Sequence, residues 1–179
     1  MFNTYAWFVF QTKVSGKITA HIEAWNVIFK AGADETVSTV QFDVDKIYPG
    51  MEDYSQEITA QNDGEKEATV TYIIQSITIL GQTYTNEDGT DLSELISSTT
   101  YPFHISISID NTTMAAGNGS SHIVISVTWP FEQGTDENEI SQKDALDTYW
   151  GGLAADYYQT NPDSPSISMQ VELRATQVE

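Results

Sequence analysis

Residues 103–110 read FHISISID, with apolar side chains at the odd-numbered positions and polar ones at the even-numbered positions. Side chains of a β-strand point alternately to its two faces, so this period of two predicts a strand with one buried face and one wet face. Residues 123–129 and 167–175 repeat the pattern. Residues 67–80 become apolar on both faces, which indicates a central or covered strand.

Three earlier stretches, 18–30, 40–44 and 54–60, give weaker strand patterns. The first changes phase near residues 24–25, which suggests a bulge or bend. Turn sequences separate the strands: YPG at 48–50, NDG at 62–64 and a flexible loop at 114–119. About eight short strands with two helical stretches predict an all-β fold, a jelly-roll-like antiparallel β-sandwich with short helical insertions.

The two helical stretches are short and polar. Residues 91–96 follow Thr90, which we expect to cap them, and residues 141–150 follow a second predicted cap, Ser141. We expect Gly151 and Gly152 to end or kink the second helix. The alternative is that the helix continues to about residue 160. We therefore expect an N-terminal hydrophobic segment at residues 1–12 and one sandwich domain at 13–179, with an acidic, partly helical insertion at about 132–163.

Charge and composition exclude several classes of function. The 179 residues carry 26 acidic and 7 basic side chains, a net charge of −19, and no cysteine. Phosphate backbones and anionic lipids repel such a surface, so we expect no nucleic-acid partner and no membrane contact in the mature form. Without cysteine, disulfides and thiolate metal sites are absent. The sequence has no Gly-x-Ser-x-Gly turn, and we expect no enzymatic activity.

The N-terminal part and the body differ in sign. Residues 1–33 carry three lysines and one glutamate, a net of +2, while residues 34–179 carry 25 acids and four basic residues, a net of −21. A positive arm on one copy is attracted to the negative body of another, whereas two bodies repel. This arrangement favours end-to-end docking, and a head-to-tail contact that does not close on itself grows a filament.

The chain opens on a hydrophobic stretch that needs a partner surface. Tyr5, Trp7 and Val9 share one phase of this stretch, and Phe8 and Phe10 share the other. Burying each large side chain is worth about 1.5–3 kcal/mol, so the stretch does not remain in water without cost. Either it is the first strand of its own sandwich, or it adds to a sheet edge of a neighbouring copy, as in β-strand addition.

The acidic insertion suggests a cation site. Its carboxylates outnumber the single Lys143, and clustered oxygen ligands suit calcium. The candidate calcium ligands are Glu132, Asp136, Glu139, Asp144 and Asp147. The alternative is a solvated acidic loop without a cofactor, since the spacing does not match an EF-hand.

Histidine and aromatic side chains offer two further alternatives. If the strands that carry His104 and His122 pair, the two rings approach each other, either as a surface pair or as a zinc site. The sequence contains no HExxH motif for zinc. Eight aromatic residues beyond position 70 point to a carbohydrate-binding face if they are exposed, or to core packing if they are buried. They are Tyr72, Tyr84, Tyr101, Trp129, Tyr149, Trp150, Tyr157 and Tyr158.

Short motifs along most of the chain resemble the TasA/camelysin family of bacterial biofilm-matrix and surface fibre proteins, which are exported with a SipW-type signal peptide. The motifs are TYAWF at 4–8, a strand at 18–29, YPGM at 48–51, NDGE at 62–65, WPFE at 129–132 and DALDT at 144–148. The resemblance implies a jelly-roll-like subunit that polymerises by donor-strand exchange. Signal cleavage near Ala6 would leave Trp7–Phe10 as the donor strand.

Three hypotheses about function follow. The first is a secreted structural subunit of the cell surface or extracellular biofilm matrix, with itself as partner in a head-to-tail polymer and other matrix proteins or polysaccharide as further partners. The second is a calcium- or carbohydrate-binding adhesion module. The third is a metallopeptidase, an activity attributed to some members of the family. Because this sequence has no recognisable zinc motif, the peptidase activity is not carried over to it.

Overall fold

The computed structural model describes residues 21–27, 35–64, 66–86, 91–131 and 134–178, and only the backbone of 21–27 and 35–37. These residues form nine strands and two helices. In chain order they are β1 His21–Val27, β2 Glu35–Val44, β3 Tyr54–Asn62, β4 Ala68–Ile79, β5 Gln82–Thr85, α1 Leu92–Ser97, β6 His104–Ile109, β7 Thr113–Met114, β8 Gly119–Thr128, α2 Glu137–Thr160 and β9 Ile167–Gln177.

The strands form two sheets, which confirms the predicted all-β sandwich with helical insertions. The first sheet has the order β1-β3-β8-β6, and the second has the order β2-β9-β4-β5, with β7 also paired to β4. Successive strands pass mostly from one sheet to the other. One pair departs from the antiparallel pattern: β1 runs parallel to β3. The chain crosses to the second sheet and back between them, and such a crossover is what a parallel pair requires.

The core lies between the inner faces of the sheets. Ile123, Ile125 and Val127 of β8 are buried, as the alternating pattern of residues 123–129 predicts, and Met169, Val171 and Leu173 of β9 face them from the second sheet. Each such side chain contributes about 1.5–3 kcal/mol by leaving water. The strand predicted to be central, β4, pairs with β9 on one side and with β5 and β7 on the other.

Two local predictions differ from the structure in detail. The phase change near residues 24–25 is not a bulge, because β1 pairs with β3 without a shift from His21 opposite Gln56 to Val27 opposite Asn62. The loop predicted at 114–119 begins inside β7. The NDG turn forms as predicted. It is fixed by the buried Asn62, whose side chain donates to the carbonyl of Met114 at 3.2 Å and accepts from the N–H of Gly64 at 2.9 Å.

The helices also differ from expectation in their bounds. Asp91, not Thr90, caps α1, accepting from the N–H groups of Ser93 and Glu94. The second helix begins one turn earlier than predicted, after Asp136, and continues without a break to Thr160. The glycine pair does not end it because tertiary packing holds that segment, and Gly151 is buried against the sandwich.

Helix α2 covers one end of the sandwich. Lys46, just after β2, lies over the ring of Tyr158 at 4.0 Å from its centroid. The turn between β4 and β5 touches the helix at Gly81, where an added Cβ would lie 2.9 Å from the ring of Tyr157. The indole N–H of Trp150 donates to the carbonyl of Thr100 at 3.1 Å. The helix thus connects β8 of the first sheet to β9 of the second.

Candidate functional site

The proposed donor residues cannot be placed. Tyr5, Trp7, Phe8, Val9 and Phe10 lie outside the described residues, as does Glu132 of the proposed calcium set. What the structure does describe is the set of sheet edges that such a strand could join.

No strand in the described part of the chain pairs with the outer edge of β6, because β6 ends its sheet. The N–H of Asp110 donates to the carbonyl of His122 on β8 at 3.0 Å. Backbone groups alternate in direction along a strand, so Ser108 and Ser106 also point their N–H and C=O groups toward β8. It follows that Ile105, Ile107 and Ile109 direct theirs outward, away from the sheet.

Nothing in the sequence of β6 protects this edge from pairing. Natural proteins guard edge strands with charges, prolines or bulges. The six residues HISISI contain no acidic or basic side chain other than one histidine and no proline, and β6 pairs with β8 without a register shift. By contrast, the edge strand β2 carries Glu35 and Asp43.

The inner face of β6 is incompletely covered. Ile105 is buried, at 6% exposure, but Ile107 and Ile109, which face the same way, are only half-buried. Helix α1 contacts both β6 and β4, so these two strands border the same side of the sandwich. On that side an added strand would cover apolar surface and also gain backbone hydrogen bonds.

The edge of β4 on this side is interrupted. β7 pairs with Ala68 and Thr69, and β5 pairs with the other end of β4 from Ser76 onward. Between them lie residues 71–75, which we call the β4 gap; no strand among the described residues pairs with its outer side. The N–H of Val70 donates to Thr112 at 2.8 Å, and the carbonyl of Ile74 accepts from the side chain of Asn86 at 2.7 Å. Tyr72 lies midway between them and therefore points its N–H and C=O outward.

A cavity of about 250 Å³ adjoins the β4 gap. Its walls come from β4 and from the segment that begins α1: Tyr72, Ile73, Ile74, Asn86, Asp91, Leu92 and Ser93. Ile73 is 39% exposed, whereas Leu92 is buried. The cavity walls are thus mixed, with the polar side chains of Asn86, Asp91 and Ser93 beside apolar ones.

The acidic residues at the start of α2 act as helix caps. Asp136 accepts from the N–H groups of Asn138 and Glu139, both at 2.9 Å. The carboxylate of Glu139 accepts from the N–H and hydroxyl of Thr135 at 2.9 and 2.7 Å, and these bonds lower its pKa. The two carboxylates thus form a reciprocal capping arrangement that anchors the helix start.

The remaining two proposed calcium ligands point to different surroundings. Asp144 is exposed, while Asp147 is 6% exposed and accepts from the indole N–H of the fully buried Trp129 at 2.7 Å. Burial raises the pKa of Asp147, with Asp144 adding to the shift, and the indole bond and Lys143 oppose it. Across the described ranges, no three histidine or acidic side chains are grouped so that they could hold a metal ion.

The histidine prediction was half right. The strands of His104 and His122 do pair, but the register sets Thr128 opposite His104. The two rings are separated by six residues along the sheet, about 20 Å at 3.3 Å per residue. His122 instead pairs with Asp110, which it contacts through its backbone N–H at 2.7 Å and its ring Nδ1 at 2.9 Å. These bonds lower the pKa of Asp110.

Most of the aromatic residues pack rather than face solvent. Tyr101, Phe103, Trp129 and Trp150 form a connected cluster with ring centroids 4.8–6.2 Å apart. Burial, together with a hydrogen bond that the Tyr101 hydroxyl donates to Tyr84, raises the pKa of Tyr101. Tyr149 is 62% exposed at the edge of this cluster. Of the eight aromatic residues considered, Tyr149 is therefore the one that is mostly exposed, and the carbohydrate-binding alternative stays a prediction.

Sequence reasoning overlooked both strand edges. The signal for β6 was present, since HISISI is an uncharged alternating strand. The β4 gap had no local signal, because β5 is only four residues long after its turn and β7 comes from a distant part of the chain.

No helix among the described residues has the length and apolar character needed to cross a membrane. In comparisons with known proteins, no protein-family model, no curated protein and no solved structure matches this chain.

Proposed function

We propose that this chain is a secreted structural subunit of a bacterial cell surface or biofilm matrix, and that it forms fibres by donating its N-terminal strand to the next copy. The donor is the hydrophobic stretch Tyr5–Phe10, and the acceptor is the outer edge of β6. The observation that supports this proposal is the edge itself: six residues long, uncharged, free of bulges and bordered by half-buried isoleucines.

The energetics favour such a contact. A six-residue strand joining β6 would use the outward groups of Ile105, Ile107 and Ile109, and each hydrogen bond formed adds about 0.5–1.5 kcal/mol. Aromatic residues on one face of the donor would cover Ile107 and Ile109, and each such side chain adds about 1.5–3 kcal/mol when fully buried. The sum is ample for a specific contact, even after the cost of ordering the arm.

Charge gives the contact its polarity. Residues 1–20, which precede β1 and form the arm, carry two lysines and no acid, a net of +2, and the remaining residues carry −21. Arm-to-body docking is therefore attractive, while body-to-body contact is repulsive. The same asymmetry limits disordered clumping. Because each copy has one arm and one β6 edge, the contact is heterologous, and it extends into a filament where it does not close on itself.

A proline at position 107 tests the acceptor edge selectively. The N–H of Ile107 points outward, so Ile107→Pro removes a donor that an added strand needs and leaves the β6–β8 hydrogen bonds in place. The matched control, Ile107→Ala, loses the same side chain but keeps the N–H. We expect wild type and Ile107→Ala to form fibres on concentration, seen by sedimentation and negative-stain electron microscopy, and Ile107→Pro to remain in solution.

Melting curves separate lost assembly from lost folding. Ile107→Pro and Ile107→Ala are expected to melt within a few degrees of each other at concentrations too low for assembly. Fibres of Ile107→Pro indistinguishable from those of wild type would refute β6 as the acceptor. Failure of the wild-type chain to form fibres under any condition would refute the proposed function.

A further inference from the structure

Helix α2 carries a row of apolar side chains that the sandwich leaves exposed. Leu146, Tyr149 and Leu153 follow one another at spacings of three and four residues, so they lie along one side of the helix. Tyr149 is 62% exposed and Leu153 is 38% exposed, whereas Gly151 and Ala154, on the side toward the sandwich, are buried. We call Leu146, Tyr149 and Leu153 the α2 stripe.

The α2 stripe is a second apolar side of a helix that needs only one. A helix on the surface of a globular domain turns one apolar side to the core and a polar side to water. The stripe also adjoins the packed aromatic cluster, because the ring centroid of Tyr149 lies 5.7 Å from that of Trp150. A ligand that covers the stripe therefore extends an apolar contact that the fold has already begun.

The arm joins the sandwich at the end that α2 covers. It continues into β1 at His21, which lies opposite Gln56 in β3. Gln56 in turn lies opposite Ile125 in β8, four residues before Trp129, whose indole is hydrogen-bonded to α2. Because β1 runs parallel to β3, β1 begins at the same end of the sandwich as α2.

The arm is long enough to reach the stripe of its own chain. β1 and β6 are the two edges of the first sheet and lie three strand spacings apart, about 14 Å. Trp150 places α2 near the β6 side, since its indole bonds to Thr100 just before β6. Residues 11–20 span up to about 33 Å when extended, more than twice this width. They can thus bring Tyr5–Phe10 to the stripe.

The arm and the helix carry opposite charges. The arm contains Lys13 and Lys17 and no acid, a net of +2, whereas α2 contains five acids and Lys143, a net of −4. One of these acids, the exposed Asp156, lies one helical turn beyond Leu153 and borders the stripe. The same charge makes the α2 of a second copy a poor occupant, because two such helices repel each other.

From the exposure of the stripe, the position of β1 and these charges, we propose that Tyr5–Phe10 docks on the α2 stripe of its own chain before assembly. A single copy in dilute solution has no neighbour to cover the aromatic side chains of this stretch, and leaving them in water is costly. A docked arm is not free to join the β6 edge of another copy, so α2 restrains fibre formation. The restraint rests on the proposed function, whereas the contact between arm and helix does not.

Photo-crosslinking of dilute protein tests the contact itself. Tyr149 of the full chain is replaced with p-benzoyl-phenylalanine, an equal amount of isotopically labelled wild-type chain is added, and the mixture is irradiated below the concentration at which it assembles. We expect crosslinks from position 149 to the tryptic peptide that ends at Lys13, within unlabelled chains only. The same reporter at Thr148, exposed on another side of α2, is expected not to reach that peptide.

Fibre growth tests the restraint. Leu153→Gln and Tyr149→Gln each remove apolar surface from the stripe, and Thr148→Gln is the matched control on another side of the helix. Because an arm joins a neighbour only while it is free, we expect each stripe variant to speed fibre growth about threefold or more and the control to grow like wild type. Melting temperatures within a few degrees of wild type in dilute solution show that the fold is kept.

Three results decide between the possibilities. The contact is overturned if position 149 gives no crosslink to the Lys13 peptide, or if the labelled chain supplies that peptide. Growth of both stripe variants at the wild-type rate would overturn the restraint. A chain that gives the crosslink within one copy but never forms fibres would refute the proposed function and support the contact.

Discussion

The contact between Asp147 and Trp129 joins helix α2 to the end of the sandwich, and its removal should be measurable. The indole N–H lies 2.7 Å from Oδ1, the tryptophan is fully buried and the aspartate is 6% exposed. Asp147→Leu leaves that N–H without a partner, and an unsatisfied buried donor costs about 1–3 kcal/mol. In a chain of this size each kcal/mol corresponds to about 2–4 °C, so we expect a fall in Tm of roughly 2–12 °C.

Two comparisons make this prediction specific. Asp147→Asn keeps a carbonyl oxygen as acceptor and removes a desolvated charge, so its Tm should stay within a few degrees of wild type at neutral pH. The double variant Trp129→Phe with Asp147→Leu removes both partners, and its loss should be smaller than the sum of the two single losses. The assay is calorimetry of dilute protein. Additive losses, or an unchanged Tm for Asp147→Leu, would show that the bond does not hold the helix.

The same carboxylate predicts a pH dependence. Because burial raises the pKa of Asp147 above its usual 3.8, the folded state holds the proton more tightly than the unfolded chain does. The resulting stabilisation is complete at pH values below the pKa of Asp147 in the unfolded chain. It is lost as the pH rises through the higher pKa that Asp147 has in the folded state. Relative to Asp147→Asn, which does not titrate, wild type should therefore gain stability on acidification from neutral pH. A difference that is constant or moves the other way would contradict the buried position of the carboxylate.

Three further predictions concern other parts of the fold. Asp136→Ala removes the cap of α2 and should cost about 1 kcal/mol in calorimetry, whereas Asp136→Asn should cost little. Gly81→Ala should cost at least about 1 kcal/mol, because Gly81 has a φ of 82° and its new methyl would meet the ring of Tyr157; an unchanged Tm would contradict that packing. Calcium should leave the Tm within 1–2 °C, since Asp136 and Glu139 cap the helix and Asp147 is buried, which leaves Asp144 alone among the described candidates; a rise of several degrees that Asp144→Asn removes would restore the calcium hypothesis.

Local pattern was enough to predict the strands of the sandwich. In FHISISID and ISMQVELRA the period of two identifies the strand and also its buried face, because one face of each strand packs into the core. The alternating pattern could not give the pairing register of two strands. Sliding one strand by two residues past its neighbour leaves the same side chains on the buried face. For this reason the sequence pattern allowed His104 and His122 to be neighbours. In the structure His104 begins β6, whereas His122 lies on β8 beside the other end of β6.

Long-range packing decided the features that the sequence did not reveal. Gly151 and Gly152 are poor helix residues, yet α2 passes through them because it is held by Trp129, Lys46 and the β4–β5 turn. Which strand lies at an edge, and where an edge is interrupted, depends on segments far apart in sequence. The candidate donor was visible in the sequence as a hydrophobic stretch, while the edge position of β6, the proposed acceptor, emerges only from the topology.

Photo-crosslinking tests the donor strand and its acceptor directly. Phe8 is replaced with the photoreactive p-benzoyl-phenylalanine, this protein is mixed with an isotopically labelled wild-type chain, and fibres are irradiated and analysed by mass spectrometry. The account predicts crosslinks from position 8 to the peptide that contains His104–Ile109, joining unlabelled to labelled chains. Crosslinks confined to the same chain, or to a different strand of the neighbouring copy, would contradict it.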